Sequence, residues 1–125
     1  MKKGWPIIIA ILSNLACSKG TGDKDTVFPV ITINSPADGH VYTAGQTIPI
    51  MGHITDNNYI AEVHIHVTNT NTGSLLMDVH LFPNGAAADF DQSLTAAAGI
   101  NYKIQVIAKD RAVNQAISSV EVSCN

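Results

Sequence analysis

The residues of this sequence best suited to chemistry are His64, His66, Asp78 and His80. A β-strand points residues i and i+2 to the same face, so a His-x-His spacing places two imidazoles side by side. Imidazole nitrogens and a carboxylate oxygen suit Zn²⁺ or Cu²⁺. The same residues also fit a solvated sheet face, where histidines only titrate and no further groups hold the rings. The sequence leaves both interpretations open.

Alternation of apolar and polar residues predicts which way these side chains point. Val63, Ile65 and Val67 fall on one parity and are expected in the core. The opposite parity carries His64 and His66, together with Glu62. Burial of unpaired polar groups is costly, so we expect the histidine face to point outward.

Pairing with the following strand decides whether the four residues meet. With a hairpin loop of residues 69–73, His64 faces Asp78. A slide by two residues in one direction brings Glu62 opposite Asp78, and the other direction brings His64 opposite His80. A slide by one residue would turn polar side chains into the core. Two of the three acceptable registers therefore gather the four residues on one exposed patch.

The elements that would position this patch are all strands. The 125 residues are 46% hydrophobic and 14% charged, which fits one small globular domain. No stretch has a convincing helical period, and period-two alternation with Gly, Pro, Asn and Asp between runs predicts about seven strands. This pattern indicates an all-β Greek-key sandwich of antiparallel strands, with a barrel as the alternative. The strands are expected near residues 30–33, 48–54, 61–68, 75–82, 90–94, 102–108 and 120–122.

The first residues of the chain form a targeting segment. A basic start, Met1 to Lys3, precedes an apolar run, Trp5 to Leu12, that is too short to span a bilayer as a helix. Leu15-Ala16-Cys17 follows and resembles a bacterial lipoprotein signal, in which the Cys becomes lipidated and N-terminal. A plain signal peptide or an uncleaved anchor is the alternative.

The lipoprotein resemblance implies a domain plan and a location. Residues 1–16 are then the signal peptide, 17–27 the lipidated Cys17 with a flexible linker, and 28–125 the folded domain. Ser18 follows the Cys where an Asp can act as an inner-membrane retention signal, so the resemblance implies the outer membrane of the cell envelope, with its leaflet left open. If Cys17 carries lipid, Cys124 has no partner within the chain and is either a quiet thiol or an intermolecular contact.

Several function classes find no support in the composition. Seven Lys and Arg against ten Asp and Glu give a net charge of -3, and without a basic stripe nucleic acid is not an expected partner. No Gly-x-Ser-x-Gly motif, no Cys near a His and no phosphate-binding Gly loop occurs in a suitable context. The chain is therefore not expected to be an enzyme.

The strand pattern also carries a family resemblance. It includes Pro29-x-Ile31-x-Ile33-x-Ser35-Pro36-x-x-Gly39, then Asp56-Asn57, then Tyr102-x-Ile104-x-Val106-x-Ala108-x-Asp110-x-Ala112-x-Asn114. This resembles the bacterial Ig-like domains over roughly residues 29 to 122, although Val113 replaces the Gly usual in the last hairpin. Because such modules serve adhesion, spacing and ligand binding alike, the resemblance implies a fold more than a function.

The Ig-like resemblance also brings two polar loops to one end of the domain. These contain Asp56-Asn57-Asn58 and the segment from Asp110 to Asn114, near Asp23 and Asp25 of the linker. Their oxygens could converge on Ca²⁺, while Asp and Asn are equally the ordinary residues of turns.

Taken together, the resemblances imply a non-catalytic, membrane-anchored module of the bacterial envelope that binds or spaces a protein or glycan partner, held to the lipid bilayer through its N-terminal lipid. The alternative is an envelope lipoprotein that binds Zn²⁺ or Cu²⁺ through His64, His66, His80 and Asp78.

Overall fold

The computed structural model describes residues 24–125, so the predicted signal peptide and Cys17 lie outside the described residues. In this range every regular element is a β-strand. The strands are β1 (Val30–Ser35), β2 (Val41–Tyr42), β3 (Thr47–Asn69), β4 (Leu75–Leu81), β5 (Gly85–Thr95), β6 (Asn101–Asp110) and β7 (Gln115–Cys124). Nowhere in residues 24–125 is there a helix long and apolar enough to cross a membrane.

Strand β3 organises the whole sheet. Its first half, residues 47–55, pairs with β1 and β5, and its second half, residues 60–69, pairs with β4 and β6. The prediction of two separate strands here is wrong, because residues 56–58 keep an extended backbone instead of forming a loop. The pairing is irregular between Thr55 and Ile60, so the polar residues between them disturb the sheet without ending the strand.

The remaining strands extend the sheet beyond β6. Strand β7 pairs with β6 in antiparallel orientation, and the two-residue β2 joins the end of β7 in parallel orientation. All other pairs are antiparallel, so the predicted all-β fold of about seven strands is confirmed, with β2 as the exception to antiparallel pairing. The two halves of β3 contribute to one hydrophobic core, since the curled sheet encloses it from both sides.

The core consists of the inward parity of each strand, as predicted for Val63, Ile65 and Val67. From β6, Tyr102 and Ile104 join them, also fully or almost fully buried. Close approach at the first half of β3 requires a residue without a side chain. A Cβ at Gly52 would overlap the backbone oxygen of Thr32 and the ring of Phe90. The other fully buried aliphatic residues on β3 are Ile48, Ile50, Ile54 and Ile60.

The hairpin from β3 to β4 takes one of the alternative registers. His64 pairs with His80 and His66 with Asp78, so the register based on a loop of residues 69–73 is wrong by two residues. The loop accounts for one residue of this difference, because Ser74 is bonded to Asn69 where the expected register pairs it with Thr68. The backbone N–H of Asn69 donates to the carbonyl oxygen of Ser74 at 2.9 Å. The other comes from an irregularity after Val67, where β4 has an extra residue.

Candidate metal centre on the outer face of β3 and β4

The predicted outward direction of the histidines is confirmed by the burial pattern. Val63 and Ile65 are fully buried, whereas His64 and His66 keep 26% and 29% of their side chains exposed. His80 on β4 is more open, at 45%. Direct pairing of β3 with β4 therefore places three imidazoles on one surface.

Asp78 links two of these imidazoles. Its Oδ1 lies 3.1 Å from Nε2 of His66 and 2.9 Å from Nε2 of His80. One carboxylate oxygen thus holds one ring from each strand. Because both rings face Oδ1 of Asp78 with Nε2, these two nitrogens point toward the same position.

His64 is held by a different carboxylate. Its Nε2 lies 2.5 Å from Oε2 of Glu62, and the other oxygen of Glu62 lies 3.9 Å from Nζ of Lys109 on β6. The hydrogen bond with His64 is the main cause that lowers the pKa of Glu62, and the charges of His64, Lys109 and His80 act in the same direction against desolvation. Glu62 is therefore ionised at neutral pH.

The three rings are close enough to share an ion after rotation. Each can offer a nitrogen such that all three nitrogens lie within 4.8 Å of one another. His64 and His80 are stacked, with ring centroids 3.9 Å apart and planes inclined by 15°. Stacked rings have nearly parallel lone pairs, so His64 has to turn away from Glu62 before it can bind the same ion as His80.

His66, His80 and Asp78 need less movement. Zinc bonds of about 2.0–2.1 Å in a tetrahedron place neighbouring ligand atoms about 3.3 Å apart. The two distances from Asp78 Oδ1 to the ring nitrogens, 3.1 and 2.9 Å, are already close to that spacing. An ion could take the position between these atoms once the protons on Nε2 leave.

Sequence reasoning placed Glu62 and Asp78 near the histidines but did not assign them to hold the rings. Each of the three histidines has a carboxylate partner, Glu62 for one and Asp78 for the other two, so the expectation that nothing holds the rings is wrong. The signal was present in the sequence, because Glu62-x-His64 and Asp78-x-His80 are both i, i+2 pairs on one strand face.

Two further side chains lie outside this cluster. His53, on the first half of β3, pairs with Asp89 of β5, with Nδ1 and Oδ1 2.8 Å apart. Cys124 is 5% exposed and is a free thiol among the described residues, which agrees with the expectation of a quiet thiol.

Comparison with solved structures shows which known folds this chain resembles. Among solved structures, the chain resembles fibronectin(III)-like modules of CbhA from Clostridium thermocellum, with 21% identity, 79% of this chain and 47% of that chain covered, and a TM-score of 0.56. It also resembles a superoxide reductase (neelaredoxin) from Ignicoccus hospitalis, with 12% identity, 78% and 80% coverage, and a TM-score of 0.53. At these identities the likeness concerns the fold alone. The chain spans about half the length of the first of these structures.

A family model gives the more specific result. No curated protein matches the sequence. The family model described as bacterial Ig domain matches residues 29–106, from the residue before β1 into β6. The last motif of the resemblance, from Ala108 to Asn114, lies beyond the matched segment. Since the match covers more than half of the sequence, the chain belongs to the bacterial Ig domain family.

Proposed function

We propose that this chain is a non-catalytic Ig-like module, held at the bacterial envelope by a lipid on Cys17, whose outer β3–β4 face binds Zn²⁺ or Cu²⁺. Membership of the bacterial Ig domain family supports a binding or spacer role. The observation that carries the metal proposal is the convergence of His64, His66 and His80, with ring nitrogens within 4.8 Å of one another.

The anchoring proposal rests on Leu15-Ala16-Cys17 after a short apolar run. It is tested by feeding cells radiolabelled palmitate and following the label into the full chain. Cys17→Ser is expected to remove the label and to release the protein from the membrane fraction. Cys124→Ser is the matched control and should keep both the label and the membrane association. Label retained by Cys17→Ser would overturn the anchor.

The chemistry of the β3–β4 face suits a borderline ion. Neutral imidazole nitrogens bind both Zn²⁺ and Cu²⁺, and Asp78 supplies a charged oxygen between His66 and His80. Glu62 holds His64 through Nε2, so His64 would join the ion only after its ring turns away from this carboxylate. The face is open to solvent, so a coordination position remains for water or for a group on a protein or glycan partner.

Isothermal titration calorimetry with each ion tests the metal site. We expect saturable binding by the wild-type chain and a loss of at least about tenfold in affinity in His66→Ala/His80→Ala, because two ligands are removed. His53→Ala is the matched control, since His53 is also an exposed β3 histidine paired with a carboxylate. Affinity should fall as the pH is lowered, because protons compete with the ion for the imidazole nitrogens.

Two results would reject the metal site. The first is the absence of binding heat with both ions in the wild-type chain. The second is equal affinity in the wild type and in His66→Ala/His80→Ala, which would mean that the ion binds elsewhere. Either result leaves the proposed envelope anchor intact, because palmitate labelling tests the anchor independently.

A further inference from the structure

A second group of polar side chains meets where the chain enters the domain. Asp25 lies just before β1, Asp56 in the irregular middle of β3, and Asp110 at the end of β6. One carboxylate oxygen from each can be chosen so that all three lie within 4.8 Å of one another. Three segments far apart in sequence therefore bring three carboxyl groups to one point.

Asp110 is the most buried of the three, with 2% of its surface exposed. The backbone N–H and the side-chain amide of Asn114 each donate to Asp110 at 2.8 Å. A carboxylate with almost no access to water is therefore held by uncharged donors.

Asp56 has an oxygen without a partner. Its Oδ2 accepts the backbone N–H groups of Asn58 and Tyr59 at 3.1 and 2.9 Å. Its Oδ1 is completely buried, with less than 1 Å² accessible, and accepts no hydrogen bond. A buried carboxylate oxygen without a donor is unfavourable, so an acceptor of this kind is expected to face a positively charged group.

No basic side chain of residues 24–125 supplies that charge. None of the ion pairs in this range involves Asp25, Asp56 or Asp110. Arg111, which follows Asp110 in sequence, instead stacks on Tyr59, with its guanidinium carbon 3.6 Å from the ring centroid. The amides that do reach Asp25 and Asp110 come from Asn57 and Asn114 and carry no net charge.

We propose that Asp25, Asp56 and Asp110 form a Ca²⁺ site that fastens the end of the linker to the domain. Calcium prefers oxygen ligands at about 2.3–2.6 Å, so it can hold two oxygens up to about 5 Å apart. Magnesium, at about 2.0–2.1 Å, would require the oxygens to approach within about 4.2 Å. The site is independent of the histidine cluster and takes a different class of ion.

Fastening Asp25 has a consequence for how the domain is held. Asp25 belongs to the predicted linker, and its backbone oxygen already accepts the amide of Asn114 at 3.0 Å. With Ca²⁺ bound, the flexible linker would end before residue 25 instead of at residue 27. If the proposed lipid on Cys17 is correct, Ca²⁺ shortens and stiffens the connection between the membrane and the domain.

The experiment uses the full chain in detergent micelles. Calorimetry measures Ca²⁺ and Mg²⁺ affinity, and thermal melting is recorded with and without Ca²⁺. We expect Ca²⁺ to bind at least tenfold more tightly than Mg²⁺ and to raise the Tm by about 10 °C at 100-fold excess over Kd. Asp25→Asn and Asp56→Asn should each weaken Ca²⁺ binding by at least about tenfold, while Asp91→Asn, an exposed β5 residue, is the control.

Trypsin tests the fastening separately from the affinity. Cleavage after Lys24, which is exposed, should slow in Ca²⁺ because the scissile bond lies beside Asp25, and this protection should be lost in Asp25→Asn. Asp25 lies outside the strands, so its variant is expected to fold even if Asp56→Asn does not. Lack of Ca²⁺ binding at millimolar concentration, unchanged affinity in Asp25→Asn, or binding without protection after Lys24 would each overturn the proposal. Ca²⁺ binding by His66→Ala/His80→Ala should be normal, which separates this site from the proposed Zn²⁺ or Cu²⁺ site.

Discussion

Replacement of Val113 by Gly is expected to make the protein more stable. Val113 lies in the turn between β6 and β7 with φ at +69°, in the left-handed region that β-branched residues rarely adopt. Its side chain is 70% exposed, so little packing would be lost. In this turn the backbone N–H of Val113 donates to the carbonyl oxygen of Asp110 at 3.1 Å. A glycine at this position would keep the bond, because it also has a backbone N–H.

The expected gain is the difference between two effects. The left-handed conformation costs an L-residue about 1–2 kcal/mol. Glycine offsets about 0.4–1 kcal/mol of the relieved strain, because it adds conformational freedom to the unfolded chain and so stabilises the unfolded state. The free energy of unfolding should therefore rise by about 0.5–1 kcal/mol, or about 2–8 °C in Tm for a domain of this size.

Thermal and urea unfolding of Val113→Gly against the wild type measure this gain. Val30→Gly is the matched control, because Val30 is also an exposed valine but lies in β1, where Gly should lower stability. Val113→Ala separates backbone strain from the loss of an exposed apolar side chain, since Ala still has a Cβ. A lower Tm for Val113→Gly, or an equal gain from Val113→Ala, would refute the assignment of strain to this position.

Three further predictions concern the core, the buried carboxylate and the thiol. Gly52→Ala should destabilise the protein by about 1–3 kcal/mol or prevent folding, because the new methyl group overlaps Thr32 and Phe90. The control is Gly85→Ala, which has no neighbouring atom nearer than 3.9 Å and should unfold at nearly the wild-type urea concentration. Because the folded-state pKa of Asp110 is lowered, its contribution to stability is present above the unfolded value of about 3.9 and is lost as the pH falls through the folded value. Urea unfolding between pH 5 and pH 2 should therefore depend less steeply on pH in Asp110→Asn, and an unchanged slope would contradict the lowered pKa. In a Cys17→Ser chain, Cys124 should react with a thiol reagent such as DTNB only after unfolding, since it is 5% exposed, and rapid reaction of this native protein would show that the last strand opens.

Much of the fold follows from the parity of apolar residues. Alternation assigns Ile65 and Val67 to the core because a strand with one buried face must bury every second residue. Alternation does not show whether a strand continues through a polar segment or ends there. Asp56 and its neighbours have the composition of a turn, yet β3 passes through them, because the side chain of Asp56 accepts the N–H groups of residues 58 and 59 and so satisfies the backbone locally.

The candidate metal centre was predictable in its members but not in its pairing. Parity requires only that His64, His66 and His80 share a face, and every shift by two residues satisfies that requirement. The observed register depends on one extra loop residue and one extra residue in β4, which together shift the pairing by two residues and so leave the parity unchanged. Local backbone geometry at the hairpin therefore decides that His66 faces Asp78 and His64 stacks on His80.

The same hairpin geometry places exposed apolar side chains next to the candidate metal centre. With the extra residue accommodated in β4, both Leu75 and Leu76 are exposed, although the expected register had Leu75 in the core opposite Val67. If β4 paired with β3 without this irregularity, Leu76 would face Val67 in the core and the following residues would turn by one position. Because side chains alternate along a strand, Asp78 and His80 would then point inward and His66 would lose its carboxylate. The exposure of two leucines is thus the structural cost of a register in which the imidazoles and their carboxylates face the solvent together.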